Sequence, residues 1–107
     1  MNVSVTKSTG LKGELVIPAD KSISHRSAML ASMTKGVITV DNFSLGADCI
    51  STLNIIQALG CSVEFISKNV VRIDSQNAFK LDRYNLDCGN SGTSMRLFAG
   101  ILASREI

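Results

Sequence analysis

The apolar residues of this chain change their spacing several times, and this alternation limits its fold more than any other feature. Short runs with period two and β-branched residues predict strands, whereas longer runs with apolar residues three and four apart predict helices. From residue 15 onwards the order is β-α-β-α-β-β, followed by a loop and another helix. Such an order predicts an α/β fold with a mixed sheet covered by helices. The predicted strands are Glu14–Pro18, Val37–Phe43, Cys61–Ser67 and Val70–Asp74, and the predicted helices are Ser22–Met33, Asp48–Leu59 and Thr93–Ala103.

Residues with special backbone preferences mark the ends of several segments. Pro18 cannot donate to a strand ladder and should stop the first strand of this series. Gly60 should close the second helix, and Lys68 with Asn69 should form the tight turn of a hairpin. A further alternating segment, Asn2–Ser8, precedes the series.

Composition excludes several classes of protein. The chain has 107 residues, enough for one small domain, and its 11 basic and 9 acidic side chains include no basic run, so nucleic-acid binding is not expected. No apolar run approaches the roughly 18 residues that span a membrane, and the start lacks a signal-peptide layout. The three cysteines have no metal-type spacing and are expected to be reduced, mostly buried thiols. A cytoplasmic protein without a metal site is predicted.

The first candidate site is Lys21–Arg26, where a strand should end and a helix should begin. A helix start has unpaired N–H groups and partial positive charge, so it suits an anion. Lys21 should lie just outside the helix and fold over the anion, while Ser22 and Arg26, four residues apart, share one face. The alternative is an ordinary serine N-cap with solvated basic neighbours.

The second candidate site is Cys88–Arg96, where a loop of small residues leads into the last helix. Gly92 has no Cβ and would let a ligand approach the backbone closely. The stretch is neither a Walker loop nor a dinucleotide fingerprint. The alternative is a capped surface turn.

Neither of the remaining polar candidates predicts catalysis. His25 is the single histidine, and no acidic residue or cysteine stands at a spacing that suggests a catalytic partner. Asp48 is expected to cap a helix, not to transfer protons. No catalytic residue is therefore assigned within this chain.

Three stretches, taken together and in this order, resemble the 5-enolpyruvylshikimate-3-phosphate synthase family. The departures from the family pattern are Ala19, where glycine is common, and Ser91 and Ser94, where alanine or threonine is common. The three stretches are Leu11–Arg26, which is similar to the family's opening, Asp48–Gly60, which is similar to its next helix, and Leu86–Leu97, which is similar to its second glycine-containing signature.

The resemblance implies transfer of the enolpyruvyl group of phosphoenolpyruvate to the 5-hydroxyl of shikimate 3-phosphate, with release of phosphate. This is a step of the shikimate pathway of aromatic amino-acid biosynthesis, and it needs no cofactor or metal. The enolpyruvyl transferase acting on UDP-N-acetylglucosamine has the same fold and is the enzymatic alternative. In that cousin an asparagine usually follows the corresponding lysine, so Ser22 and Arg26 favour shikimate 3-phosphate.

The resemblance also implies roles for individual residues. Lys21 would contact both substrates, Ser22 and Arg26 would bind shikimate 3-phosphate, and Gly92 would lie beside phosphoenolpyruvate. The herbicide glyphosate inhibits this family from the phosphoenolpyruvate pocket. The acid–base residues of the family have no match in these residues, and Arg105 is given no role.

The implied architecture is an inside-out α/β barrel of two similar domains, each with three βαβαββ units, and the substrates bind in the cleft between them. Residues 1–18 would form a strand region that pairs with the opposite domain. Residues 19–107 would supply one βαβαββ unit and the start of the next. The expected partners are the two substrates and a C-terminal domain of the same chain, in a monomeric enzyme. The chain ends just after an apolar helix, so we expect a piece of a longer protein, inactive alone; a purely structural or binding fragment is the non-enzymatic alternative.

Overall fold

The computed structural model describes residues 1–107 and confirms the α/β class. Every predicted helix and the predicted hairpin are present, with ends within one residue of expectation. None of the helices has the length and apolar character needed to cross a membrane. The elements are α1 (Lys21–Ser32), β1 (Val37–Val40), α2 (Ala47–Ala58), β2 (Ser62–Ser67), β3 (Val70–Asp74) and α3 (Gly92–Ala103).

The three strands form one antiparallel sheet in the order β1-β3-β2. Ile38 of β1 and Val63 of β2 both lie opposite Ile73 of β3. Strands β1 and β2 therefore run in the same direction but are separated by β3, and no parallel pair forms. The expected mixed sheet is wrong for these residues, because the predicted strand Glu14–Pro18 does not join it.

Residues 1–18 have no strand or helix, although their sequence alternates. Leu15 and Val16 have 91% and 97% of their surface exposed. The radius of gyration is 17.6 Å, well above the roughly 13 Å of a compact domain of this size, because the segment extends away from the folded part. A strand needs a neighbour for its backbone hydrogen bonds, and nothing in the chain offers one here. Pairing with an opposite domain stays a prediction.

The core lies between the sheet and the helices. Along β3, Val71 and Ile73 are fully buried while Arg72 between them is exposed, which is the period-two pattern of a sheet with one covered face. On the uncovered face Thr39 and Glu64 lie opposite Arg72. The buried apolar residues of the core are Ala28, Met29, Ala31, Phe43, Cys49, Leu53, Ile55, Ile56, Leu59, Cys61, Val71, Ile73, Ala78 and Phe98.

Gly60 ends α2, as the sequence predicts, and its lack of a side chain is required. Its φ is +108°, and a Cβ there would lie 2.5 Å from the carbonyl oxygen of Asn77. This close approach lets the backbone N–H of Phe79 donate to the carbonyl of Leu59. The irregular segment after β3 is thereby held against the end of α2.

Candidate functional site

Asp20 caps the start of α1. Its carboxylate accepts from the backbone N–H of Ile23 at 2.7 Å. The hydroxyl of Ser24 donates to the carbonyl of Asp20 at 2.7 Å and accepts from the N–H of Ser44 at 3.0 Å. A serine cap is therefore excluded, and Lys21 is the first residue of the helix, contrary to its expected place just outside. The cap satisfies an N–H that would otherwise be free for an anion.

Lys21, Ser22 and Arg26 are all exposed at or near the start of α1. The ammonium of Lys21 lies 2.6 Å from a carboxylate oxygen of Asp48, and the two side chains are 57% and 34% exposed. The hydrogen bond with Asp48 raises the pKa of Lys21, and the same bond lowers the pKa of Asp48. The predicted helix cap at Asp48 is wrong, because Gly46 holds the N-cap position of α2. Asp48 instead holds Lys21 in its charged form.

Two pairs of contacts show that α1 and α2 run in the same direction. Lys21 contacts Asp48, and four residues further along both helices the Nδ1 of His25 lies 2.7 Å from the hydroxyl of Thr52. Contacts that advance together along two helices require parallel axes. The positive ends of both helix dipoles therefore lie on the same side of the molecule.

The start of α3 is built differently, from hydroxyls and glycines. The hydroxyl of Ser91 accepts from the N–H of Ser94 at 3.1 Å and caps the helix. Gly92 is the first helical residue, and a Cβ built on it would meet only the guanidinium of Arg96, at 3.7 Å. Gly89 turns the preceding loop with a φ of +55°, and its N–H donates to Asp87 at 2.7 Å. A ligand therefore has open space beside the backbone at Gly92.

A buried row of hydrogen bonds joins the three helices near these starts. The hydroxyl of Thr52 contacts the Nδ1 of His25 and the hydroxyl of Ser94, each at 2.7 Å. Ser91 donates to Ser94 at 2.8 Å. All four side chains are at least 97% buried. The first turn of α3 and the second turn of α1 thus lie on either side of Thr52.

His25 has a structural role in this row. Its side chain is fully buried, and burial, with a smaller effect of the Lys21 charge, lowers the pKa of the imidazole. A neutral, buried imidazole is poorly placed to exchange protons with a substrate. Thr52 and Ser94 were not predicted as site residues from the sequence. The sequence signal for Thr52 is a hydroxyl on the apolar face of α2. The signal for Ser94 is a serine three residues after the cap Ser91.

One shallow groove connects α1 and α3 along their length. Arg26 lines it from α1 and Leu97 from α3, and its volume is about 220 Å³. Leu97 follows Arg96, whose exposed guanidinium lies close to Gly92. The sequence-predicted residues of the two sites are therefore on neighbouring helices.

All three cysteines are free thiols. Cys49 and Cys61 are buried and Cys88 is half-buried. Burial raises the pKa of Cys61 to about 11 and also raises that of Cys49, so both thiols are protonated near neutral pH. No three histidine, cysteine or acidic side chains come together in a way that could hold a metal ion.

Comparison with known proteins gives a consistent result. The pattern of the family described as EPSP synthase (3-phosphoshikimate 1-carboxyvinyltransferase) matches residues 5–107. A protein of that second name from Caldicellulosiruptor saccharolyticus is 39% identical over 106 residues, which are 99% of this chain and 24% of that protein. One from Streptococcus thermophilus is 47% identical over 103 residues, 94% of this chain and again 24% of the relative.

A solved structure supports the same relationship. The EPSP synthase from Acinetobacter baumannii superimposes with a TM-score of 0.69 at 36% sequence identity, over 84% of this chain and 21% of that protein. This chain thus spans about a quarter of the length of these relatives. Because the family pattern covers nearly all of its residues, the chain belongs to the EPSP synthase family.

Proposed function

We propose that this chain supplies one wall of the site at which an enzyme transfers the enolpyruvyl group of phosphoenolpyruvate to shikimate 3-phosphate. One observation carries the proposal: the starts of α1 and α3 flank Thr52, and both starts suit an anion. Lys21, Ser22 and Arg26 are exposed on the first, and Gly92 is exposed at the second. The relatives are named 3-phosphoshikimate 1-carboxyvinyltransferase, and this name supports transfer of a carboxyvinyl group to that acceptor.

Shikimate 3-phosphate is assigned to the start of α1. Lys21 is anchored beside the helix end by Asp48 and stays protonated, so its charge is available without a large rearrangement. Arg26 lies one turn further along the same face as Ser22, and a guanidinium can bind two oxygens of a phosphate or carboxylate at once. The arrangement favours an anionic ligand over a neutral one.

Phosphoenolpyruvate is assigned to the start of α3. Gly92 leaves the backbone open, and the nearby guanidinium of Arg96 adds positive charge. Lys21 would face both ligands. In this arrangement the positive groups lower the cost of bringing two anions together, which is the main task of binding in such a reaction.

No proton-transfer step is assigned to residues 1–107. His25 is buried, and Asp48 is held as a carboxylate by Lys21. The relatives are about four times as long as this chain, and the acid–base groups are proposed to lie in the remainder of such a protein. Catalysis needs contacts on several sides of the transition state.

We further propose that residues 1–18 form a strand in the complete enzyme by pairing with its opposite domain. Their apolar side chains are exposed, which supports this pairing. The remainder, residues 19–107, would form the first part of the N-terminal domain. The complete enzyme is proposed to be a cytoplasmic monomer.

The test is a phosphate-release assay on a longer protein, one that includes these residues and is as long as the relatives. Release that requires both phosphoenolpyruvate and shikimate 3-phosphate is expected. Release with UDP-N-acetylglucosamine in place of shikimate 3-phosphate would instead support the cousin enzyme. The absence of release with either acceptor would refute both transferase functions.

A further inference from the structure

Four buried polar side chains form an unbroken row across the helical layer. His25 comes from α1, Thr52 from α2, and Ser94 and Ser91 from the start of α3. The successive distances are 2.7, 2.7 and 2.8 Å, and no side chain of the row is more than 3% exposed. Water therefore does not compete for these bonds, and each is stronger than it would be at the surface.

One arrangement of protons lets every hydroxyl of the row both accept and donate within it, and this arrangement gives the row a direction. Ser91 donates to the oxygen of Ser94. Either hydroxyl could donate between Thr52 and Ser94, and in this arrangement Ser94 donates its own proton to Thr52. Thr52 then gives its proton to the Nδ1 of His25. The imidazole consequently accepts at Nδ1 and carries its proton on Nε2, which has no partner within the chain.

The two ends of the row lie beside the two candidate anion sites. His25 precedes Arg26 in sequence and lies one turn after Lys21. At the other end, Ser91 is the N-cap that immediately precedes Gly92 and also accepts from the N–H of Ser94. A displacement of either helix would stretch a short buried bond in the row.

We infer that His25, Thr52, Ser94 and Ser91 are positioning residues, whose directed hydrogen-bond chain fixes the start of α1 relative to the start of α3. They touch no ligand themselves. This row of hydrogen bonds keeps the anion-binding groups at the start of α1 in register with the open backbone at the start of α3. This role rests on the proposed function for the identity of the ligands, whereas the direction of the chain does not.

Thr52 is the residue at which the inference is best tested, because matched substitutions exist. Thr52→Val keeps the shape of the side chain but removes the hydroxyl, which leaves the proton of Ser94 and the Nδ1 of His25 without partners. Thr52→Ser keeps the hydroxyl and removes only a methyl group. If Thr52 serves packing alone, Thr52→Val should behave more like the parent than Thr52→Ser does. If Thr52 serves positioning, Thr52→Ser should behave more like the parent.

The first experiment is independent of any enzymatic activity. Nitrogen-15 NMR of the imidazole in the full chain should show a bare Nδ1 and a protonated Nε2 near neutral pH, in the parent and in Thr52→Ser. In Thr52→Val that preference should be lost, and the amide of Ser94 should exchange faster with solvent as the cap loosens. A protonated Nδ1 in the parent, or unchanged Ser94 exchange in Thr52→Val, would overturn the inference.

The second experiment measures turnover in the longer protein described above, at a temperature where all variants are folded. Misplacement of binding groups by about 1 Å can cost up to a hundredfold in rate, so Thr52→Val should lower kcat/KM by about ten- to a hundredfold. The Michaelis constants of both substrates should rise, and Thr52→Ser should remain close to the parent. Equal kcat/KM in the parent and Thr52→Val would show a purely structural role and refute positioning.

The two experiments separate this inference from the proposed function. If the parent shows no turnover with either acceptor, the proposed function fails, yet the NMR result still decides whether the directed chain exists and couples the helix starts. If the parent turns over and the NMR signature is absent, the proposed function stands and the positioning role is refuted.

Discussion

The starts of α1 and α3 use the same physical feature, the unpaired N–H groups of a helix N-terminus, in different ways. The start of α1 is capped by a carboxylate and exposes a lysine, a serine and an arginine within its first two turns. The start of α3 is capped by a hydroxyl and begins with a glycine, and its one guanidinium, on Arg96, belongs to the second turn. The first start offers charge, and the second offers access to the backbone.

This difference separates two kinds of recognition. At α1, affinity should depend on charges that can be removed, so truncation of a side chain should weaken binding. At α3, affinity should depend on empty space, so addition of a side chain should weaken binding. No proton-transfer role is proposed for either start.

The largest expected effect is the loss of turnover in a polypeptide that contains the two helix starts but not the remainder of the longer protein. A polypeptide of these 107 residues should release no phosphate from phosphoenolpyruvate and shikimate 3-phosphate, because one wall of a site cannot surround a transition state. The measurement is a phosphate-release assay beside the longer protein. Sustained turnover by the short polypeptide would mean that one of the two starts does supply proton transfer.

The second prediction removes charge from the start of α1 in the longer protein. Lys21→Ala and Arg26→Ala should each weaken shikimate 3-phosphate binding by about ten- to a hundredfold, the usual value of a charge-assisted hydrogen bond. Lys21→Ala should in addition raise the Michaelis constant for phosphoenolpyruvate. Calorimetric titration gives the affinities.

Arg72→Ala is a matched control for this pair, since Arg72 is exposed on the uncovered face of the sheet, away from the helices. It should bind like the parent. If Arg26→Ala and Arg72→Ala have equal affinities, the basic residues of α1 are ordinary solvated side chains.

The comparison also explains what could be predicted from the sequence. Helix α2 was predicted to within a residue because Leu53, Ile56 and Leu59 repeat at helical spacing and all three are buried. The strand Glu14–Pro18 was predicted from an equally regular pattern and is absent. Periodicity shows which face of a segment could be buried, but a strand also needs a partner in space.

The site shows the same limit. The prediction that two helix starts suit anions follows from local sequence. The cap at Asp20 and the pair between Lys21 and Asp48 do not, because each depends on where the chain turns and on which helices become neighbours. Thr52 and Ser94 were missed since a lone hydroxyl on an apolar face gains meaning only from a partner distant in sequence.

The third prediction adds a side chain at the start of α3. Gly92→Ala should be tolerated by the fold, because its backbone is helical and a Cβ would meet only the end of Arg96 at 3.7 Å. Glyphosate is longer than phosphoenolpyruvate, so the new methyl group should obstruct the inhibitor more than the substrate. The inhibition constant should rise by about tenfold relative to the phosphoenolpyruvate Michaelis constant, within the ~1–3 kcal/mol of a single steric conflict.

The measurement is a pair of inhibition curves for the parent and Gly92→Ala in the longer protein, at matched saturation with phosphoenolpyruvate. The parent should be inhibited, and shikimate 3-phosphate affinity should be unchanged in the variant, in contrast to Arg26→Ala. Superimposable curves would place Gly92 outside the phosphoenolpyruvate pocket.

The smallest expected effect concerns the buried row that joins the two starts, and it appears as a dependence of stability on pH. The pKa of His25 is lowered by burial, and the charge of Lys21 lowers it further while that of Asp48 opposes this. In the unfolded chain the imidazole has its ordinary pKa of 6.5. As pH falls below that value the unfolded state binds a proton that the folded state does not, so stability falls with pH.

This loss should be visible between about pH 7 and pH 5, which is above the range in which carboxylates titrate. Asp48 also contributes pH-dependent stability through its lowered pKa, but that contribution disappears only as pH falls below its ordinary value of 3.8. The two groups can therefore be distinguished by pH alone. Urea denaturation midpoints of the full chain across this window give the measurement.

His25→Asn separates the imidazole from every other titrating group, because an asparagine oxygen can accept from Thr52 but cannot gain a proton in this range. The variant should lose the pH dependence between about pH 7 and pH 5 and keep the parent's dependence at lower pH. An equal slope in the parent and in His25→Asn would mean that His25 is not buried in neutral form between the two helix starts. The starts of α1 and α3 would then have to be held together by packing alone. The charged start and the open start would differ in how each is held in place as well as in how each binds a ligand.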